Sequence, residues 1–172
     1  MPDKRIVYII GFMGSGKTTV AKKLSGHLGW AYIDLDSLIS GGEGKSISNI
    51  FSESGEKYFR EKESALLRKL PLEKDTVVSV GGGAPCYDDN IDYMKASGLV
   101  VYLKKTPPQL LSRLAGDTGK RPLLKGLSKD EMLAFIEERL SEREAYYNLA
   151  DIVVTGMDID IENLAGKILS VI

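Results

Sequence analysis

Apolar residues along the chain fall into five short runs, separated by longer stretches in which apolar and polar positions recur at helical spacing. The runs at 6–10 (IVYII), 30–35 (WAYIDL), 76–80 (TVVSV), 99–103 (LVVYL) and 151–155 (DIVVT) are rich in β-branched and aromatic residues and read as strands. The first, third and fourth are apolar at nearly every position, as in strands buried on both faces. Between them the spacing predicts helices over 17–27, 46–51, 56–70, 88–96, 109–115, 128–147 and 161–171. Punctuation supports these bounds. Gly29 suits a helix C-terminus, Ser46 an N-cap, and Pro71 a stop, while Pro107 or Pro108 suits a first helical turn. Ser128-x-x-Glu131 is a capping-box pattern.

Strands alternating with helices imply βαβ units. The expected fold class is α/β, a three-layer α/β/α arrangement around a five-stranded parallel sheet, with residues 1–172 as one domain. Ligands in such sheets bind beyond the carboxyl ends of the strands. Chemistry is therefore sought after Ile10, Leu35, Val80, Leu103 and Val154.

Composition narrows the function. Hydrophobic residues make up 43% of the 172 positions and charged residues 27%, a profile of soluble globular chains. Lys and Arg (23) nearly balance Asp and Glu (24), with no basic block, so nucleic acid is not an expected partner. The apolar run after Lys4-Arg5 has the order of a secretory signal, but it is short and lacks a cleavage site. No segment approaches a membrane span. One cysteine, Cys86, excludes an internal disulfide and suits a reducing compartment. A cytoplasmic monomer is expected. The one histidine, His27, and Cys86 build neither a histidine mechanism nor a zinc cluster.

The chemistry starts at Gly11-Phe12-Met13-Gly14-Ser15-Gly16-Lys17-Thr18, which fits G-x-x-x-x-G-K-[ST] without a mismatch and lies between a predicted strand and a predicted helix. Glycines let successive N–H groups turn toward phosphate oxygens, and the helix start adds unpaired N–H groups and a positive dipole end. Gly14, Ser15, Gly16, Lys17, Thr18 and Thr19 are the expected nucleotide contacts. Lys17 reaches the β- and γ-phosphates, and the Thr18 hydroxyl ligates Mg²⁺.

At the second strand end, alternation places Asp34 and Asp36 on one face with Leu35 on the other. One carboxylate can hold Mg²⁺, directly or through water, and one can accept a hydroxyl proton. The other reading is a polar strand end or a helix N-cap, since Asp36 directly precedes a helical stretch. The third strand lacks an Asp, so Asp34 is the metal candidate. Gly81-Gly82-Gly83 at its end would let backbone approach a ligand closely. Residues 116–126 read as a mobile loop carrying Arg121, which can swing onto a transferring phosphate. Arg113 can stack on a purine. Arg60, Arg139 and Arg143 lie on helices, where an arginine is ordinarily a solvated surface residue.

Taken together these segments resemble the shikimate kinase family over nearly the whole chain. The matching motifs, in order, are the phosphate loop, Asp34-Leu35-Asp36, Phe59-Arg60-Glu61-Lys62-Glu63, Gly81-Gly82-Gly83, Arg121-Pro122-Leu123-Leu124, and Arg143 with Tyr147. The resemblance implies the nucleoside-monophosphate-kinase-like phosphate-loop fold with a lid near 116–126. It implies transfer of the γ-phosphoryl group of MgATP to the 3-hydroxyl of shikimate, giving shikimate 3-phosphate and ADP for aromatic amino acid biosynthesis. It assigns Asp36, Arg60, the Gly81 to Gly83 run and Arg143 to shikimate, with both arginines on its carboxylate and Asp36 as base. Arg139 is the alternative to Arg143. Lys17 and Arg121 would neutralise charge on the transferring group, and Arg113 would contact adenine. Rival readings are a gluconate or nucleotide kinase, a GTPase switch (for which N-K-x-D is missing), and an inactive binding domain.

Overall fold

In a computed structural model residues 5–116 and 121–172 are described. Five parallel strands stand in the order β2-β3-β1-β4-β5: β1 Ile6–Ile10, β2 Ala31–Asp34, β3 Thr76–Ser79, β4 Leu99–Lys104 and β5 Ile152–Thr155. Burial follows that order. Every residue of β1 and β3 is buried, whereas the edge strands β2 and β5 are only partly covered. Consecutive apolar residues therefore mark the sheet centre, because both of its faces carry helices.

Alternation along β1 divides the core in two. Tyr8 and Ile10 pack with Val78, Val100 and Tyr102 beneath α2 (Leu35–Glu43), α3 (Ile47–Leu67), α4 (Asn90–Ser97), α5 (Pro107–Leu114) and α6 (Lys129–Tyr147). Val7 and Ile9 pack with Val77 and Val101 beneath α1 (Lys17–Leu28) and α7 (Ile161–Leu169). Full burial of each such side chain contributes roughly 1.5–3 kcal/mol. The predicted caps form: Gly29 closes α1 in the left-handed region, and Ser46 and Ser128 accept from the backbone of Asn49 and Glu131.

The register β1–β3 pairs Ile9 with Ser79, and β1–β4 pairs Ile10 with Tyr102. The loop after β1 is thus flanked by the glycine run after β3 and by the start of α5 after β4. The loop after β2 lies beyond β3. This places the sequence motifs along one rim.

Three expectations change. The second strand ends at Asp34, and Leu35 already begins α2, so Asp34 and Asp36 are not alternate residues of one strand. Asp34 is the N-cap of α2 and accepts from the Ser37 N–H, while Asp36 lies in the first turn. The two helices expected at 46–51 and 56–70 run on as α3 across a kink at Gly55 (φ 83°, ψ 169°). Finally, Ala84–Cys86 and Pro122–Leu124 form short 3₁₀ turns in stretches read as connections. Of the expected lid at 116–126, residues 117–120 lie outside the described residues. Among the described residues no helix is long and apolar enough to cross a membrane.

Candidate active site

The loop after β1 is shaped by glycine where no other residue fits. Gly14 and Gly16 have φ of 77° and 92°, and a Cβ at Gly14 would lie 2.8 Å from the Leu114 side chain. Gly16 is the N-cap of α1 and brings no side chain to its first amides, which suits an anion there. Among the described residues the buried Ser15 hydroxyl has no hydrogen-bond partner. A buried unpaired hydroxyl costs stability unless a ligand satisfies it.

The Lys17 ammonium donates to the Phe12 carbonyl at 3.0 Å. Burial lowers its pKa from 10.5 to about 8, with Asp36 and Asp34 opposing and Arg121 and Arg143 reinforcing the fall. Bound phosphate would favour its charged form and raise that pKa again. The Arg113 Nε–H donates to the Gly14 carbonyl, which seats α5 on the loop.

Asp34 is held by several donors. Its Oδ2 accepts from Tyr32 at 3.1 Å and from Thr18 Oγ1 at 3.4 Å, and its Oδ1 accepts from the Ser37 N–H at 3.0 Å. Among the described residues no trio of His, Cys, Asp or Glu could hold a metal by itself. One hydroxyl beside one carboxylate suits Mg²⁺, which keeps waters and takes its other ligands from phosphate. The donor set fits. Asp36 has a raised pKa, first from burial and then from Asp34, offset by Lys17, Arg60 and Arg121. A carboxylate so placed is a better base than a solvated one.

Each glycine of the run after β3 abuts a different charged group. A Cβ on Gly81 would lie 2.8 Å from Glu63 Oε2 and 3.0 Å from Asp36 Oδ1. On Gly82 it would lie 3.5 Å from Arg143 Nη1, and on Gly83 2.6 Å from Arg60 Cζ. Arg60 pairs with Glu63 at 2.7 Å, its side chain 12% exposed, and packs over the Phe59 ring. Arg143 lies over the Phe12 ring. Arg139 is exposed and rests on Phe135, away from this wall.

These groups surround a cleft of about 420 Å³. Gly14, Gly16, Lys17, Thr18, Thr19, Arg113 and Arg121 line it together with Asp34, Asp36, Gly81 and Gly82. Ser15 lies within the loop, and Gly83, Arg60 and Arg143 stand directly behind the glycine wall. The structure thus brings every expected site residue except Arg139 to one place. Sequence reasoning gave no role to two participants. Glu63 is fully buried, with Oε2 unpartnered, and burial raises its pKa to about 7 against the pull of Arg60. The Tyr147 hydroxyl donates to the Gly82 carbonyl at 2.6 Å. Each sits at helical spacing from an arginine, Glu63 three after Arg60 and Tyr147 four after Arg143, and that spacing was the available signal.

Comparison with known proteins bears on this arrangement. The family model for shikimate kinase matches residues 13–172. A shikimate kinase of Parabacteroides distasonis is 44% identical over 170 residues, covering 95% of this chain and 98% of that protein. The crystal structure of a shikimate kinase from Bacteroides thetaiotaomicron superposes with a TM-score of 0.88 at 33% identity, covering 97% of both chains. That of a shikimate kinase from Acinetobacter baumannii, in complex with shikimate, gives 0.83 at 33% identity, covering 98% of this chain and 92% of the other.

Proposed function

The chain belongs to the shikimate kinase family, and we propose that its cleft transfers the γ-phosphoryl group of MgATP to the 3-hydroxyl of shikimate with Asp36 as base. It is an ATP-dependent kinase of shikimate. The observation that carries the residue assignment is the glycine wall. It sets Asp36, Arg143 and Arg60 against consecutive glycines, of which Gly81 and Gly82 line the same cleft as Lys17.

The loop amides from Gly14 to Thr19, with Lys17, hold the phosphates, and Arg113 flanks the nucleotide. Thr18 and Asp34 would hold Mg²⁺, which when bound neutralises charge on the phosphate oxygens. Arg60 and Arg143 take the acceptor carboxylate, because planar guanidinium forks match its two oxygens. Gly81, Gly82 and Gly83 let the acceptor ring come against backbone. Asp36 accepts the proton of the attacking hydroxyl, and Lys17 and Arg121 stabilise charge developing on the transferred group. All these groups come from one chain, and the lone cysteine needs no oxidising compartment, which supports a cytoplasmic monomer.

The test is ADP release from MgATP with shikimate, gluconate or a nucleoside monophosphate as acceptor. Stimulation by shikimate alone is expected. In the same assay Asp36→Asn should lower kcat by about a hundredfold or more, while ATP affinity stays within a few-fold. Full activity of that variant, or loss of ATP binding, would remove Asp36 from the role of base.

A further inference from the structure

Three consecutive glycines have no Cβ to bias their torsions, so the peptides between them can adopt more than one orientation. A binding wall made from such a segment needs something outside it to select one. The described structure supplies one such constraint at its centre. The Tyr147 hydroxyl, on a side chain with no exposure, donates to the Gly82 carbonyl at 2.6 Å across 65 positions of sequence.

The ring has little freedom of its own. It packs on Tyr102 with ring centroids 5.0 Å apart, and α6 fixes its backbone. Since the trans peptide is planar, holding the Gly82 carbonyl also fixes the Gly83 N–H on the opposite edge of the same plane. Arg143, one turn earlier on α6, completes the contact: its Nη1 lies 3.5 Å from the Cβ position of Gly82. Burial pushes the phenol pKa up, so the hydroxyl remains a donor at neutral and mildly alkaline pH.

We infer that Tyr147 is a positioning residue for the known reaction. Its hydroxyl locks the Gly82 peptide beside Arg143 and so presets the wall that grips the acceptor, without touching either substrate. This rests on the assignment of Gly82 and Arg143 to shikimate. Preorganisation of this kind raises affinity by removing the ordering that binding would otherwise require. Its loss should therefore be read in the acceptor and not in the nucleotide.

Tyr147→Phe keeps the ring and removes the hydroxyl, both its donation to the Gly82 carbonyl and its hydrogen bond with Arg143. The KM for shikimate should rise about threefold to tenfold, the value of one neutral hydrogen bond, with the KM for ATP within about twofold. Shikimate should also raise the melting midpoint of the variant less than that of the parent. Tyr102→Phe is the control, because that buried hydroxyl has no partner, and it should change neither KM. An unchanged shikimate KM in Tyr147→Phe, or an equal rise for both substrates, overturns the inference. Arg143→Ala separates the two levels. If it weakens shikimate at least tenfold while Tyr147→Phe leaves the shikimate KM unchanged, the positioning role fails and the acceptor site stands. If Arg143→Ala leaves shikimate affinity unchanged, the acceptor assignment fails and the inference with it.

Discussion

Gly83→Ala should damage acceptor binding through Arg60 alone. The backbone accepts the change, since Gly83 has φ −91° and ψ −10°, a conformation open to any residue. The new methyl, however, would stand 2.6 Å from Arg60 Cζ and 2.9 Å from Nη1. Arg60 Nη2 comes nearer still, so the guanidinium must retreat by more than an ångström to reach the 3.4 Å where ordinary contact begins. It cannot do so freely, because Glu63 holds it at 2.7 Å and the Phe59 ring lies beneath it. A shift of that size spoils a bidentate fork, whose charge-assisted bonds contribute about 1.5–3 kcal/mol. The KM for shikimate should therefore rise about tenfold to a hundredfold. The assay is ADP release at saturating ATP with shikimate varied, then the reverse. Gly26→Ala, with nothing within 4 Å of its Cβ position in α1, is the matched control and should leave both constants alone. A shikimate KM within twofold of the parent, or a matching rise for ATP, would refute the reasoning.

Two further outcomes depend on pH. Lys17 is charged below its pKa, and burial brings that down to about 8 in the free enzyme. ATP affinity should be full below that pH and fall by up to about tenfold per pH unit above it, with protons taken up on binding. Calorimetry from pH 7 to 9.5 in buffers of different ionisation heat reads both, and a flat profile would count against the assignment. Glu63 has the opposite sign. Its pKa rises from the ordinary 4.5 to about 7, so the folded protein keeps a proton that the unfolded chain releases, and stability falls as pH rises from about 4.5 to about 7 and is level above that. Glu63→Gln removes this loss, so it should stabilise more at pH 8 than at pH 5.5, by about 2 kcal/mol. Urea unfolding at the two pH values checks this, and an equal difference at both would show that the charge is not the cause.

Local signals and distant ones fared differently in the sequence. The phosphate loop was legible because its chemistry sits in eight neighbouring residues between a strand and a helix. The apolar runs fixed the central strands because both faces of β1, β3 and β4 are buried. Asp34 was found as a residue but misread in conformation. An Asp at a strand end and an Asp capping the next helix look alike until the Ser37 N–H is seen donating to it. Residues 46–51 and 56–70 read as two helices, yet α3 continues across one residue of non-helical backbone, Gly55. Glu63 and Tyr147 stand in the matched motifs at helical spacing from Arg60 and Arg143, but their roles do not follow from that spacing. What matters in each is an atom pair made by packing: Glu63 against the Cβ position of Gly81, and Tyr147 against the Gly82 carbonyl.

The charges in the cleft explain why it is built this way. Lys17, Arg60, Arg121 and Arg143 act on Asp34, Asp36 and Glu63 across a few ångströms of largely buried space. Burial is the largest influence on Lys17, Asp36 and Glu63, and in each it disfavours the charged form, lowering the lysine and raising the acids. A set of ion pairs formed for stability alone would tend to show the reverse, with each charge reinforced by its partner. The empty cleft is therefore short of negative charge at Lys17 and carries a buried acid ready to hold a proton behind Arg60. A phosphate at the first position and a carboxylate at the second each supply the missing partner. On the proposed assignment the phosphate meets Lys17 and the acceptor carboxylate meets Arg60 and Arg143, which leaves Asp36, an acid of raised pKa on which both Lys17 and Arg60 act, for the acceptor hydroxyl.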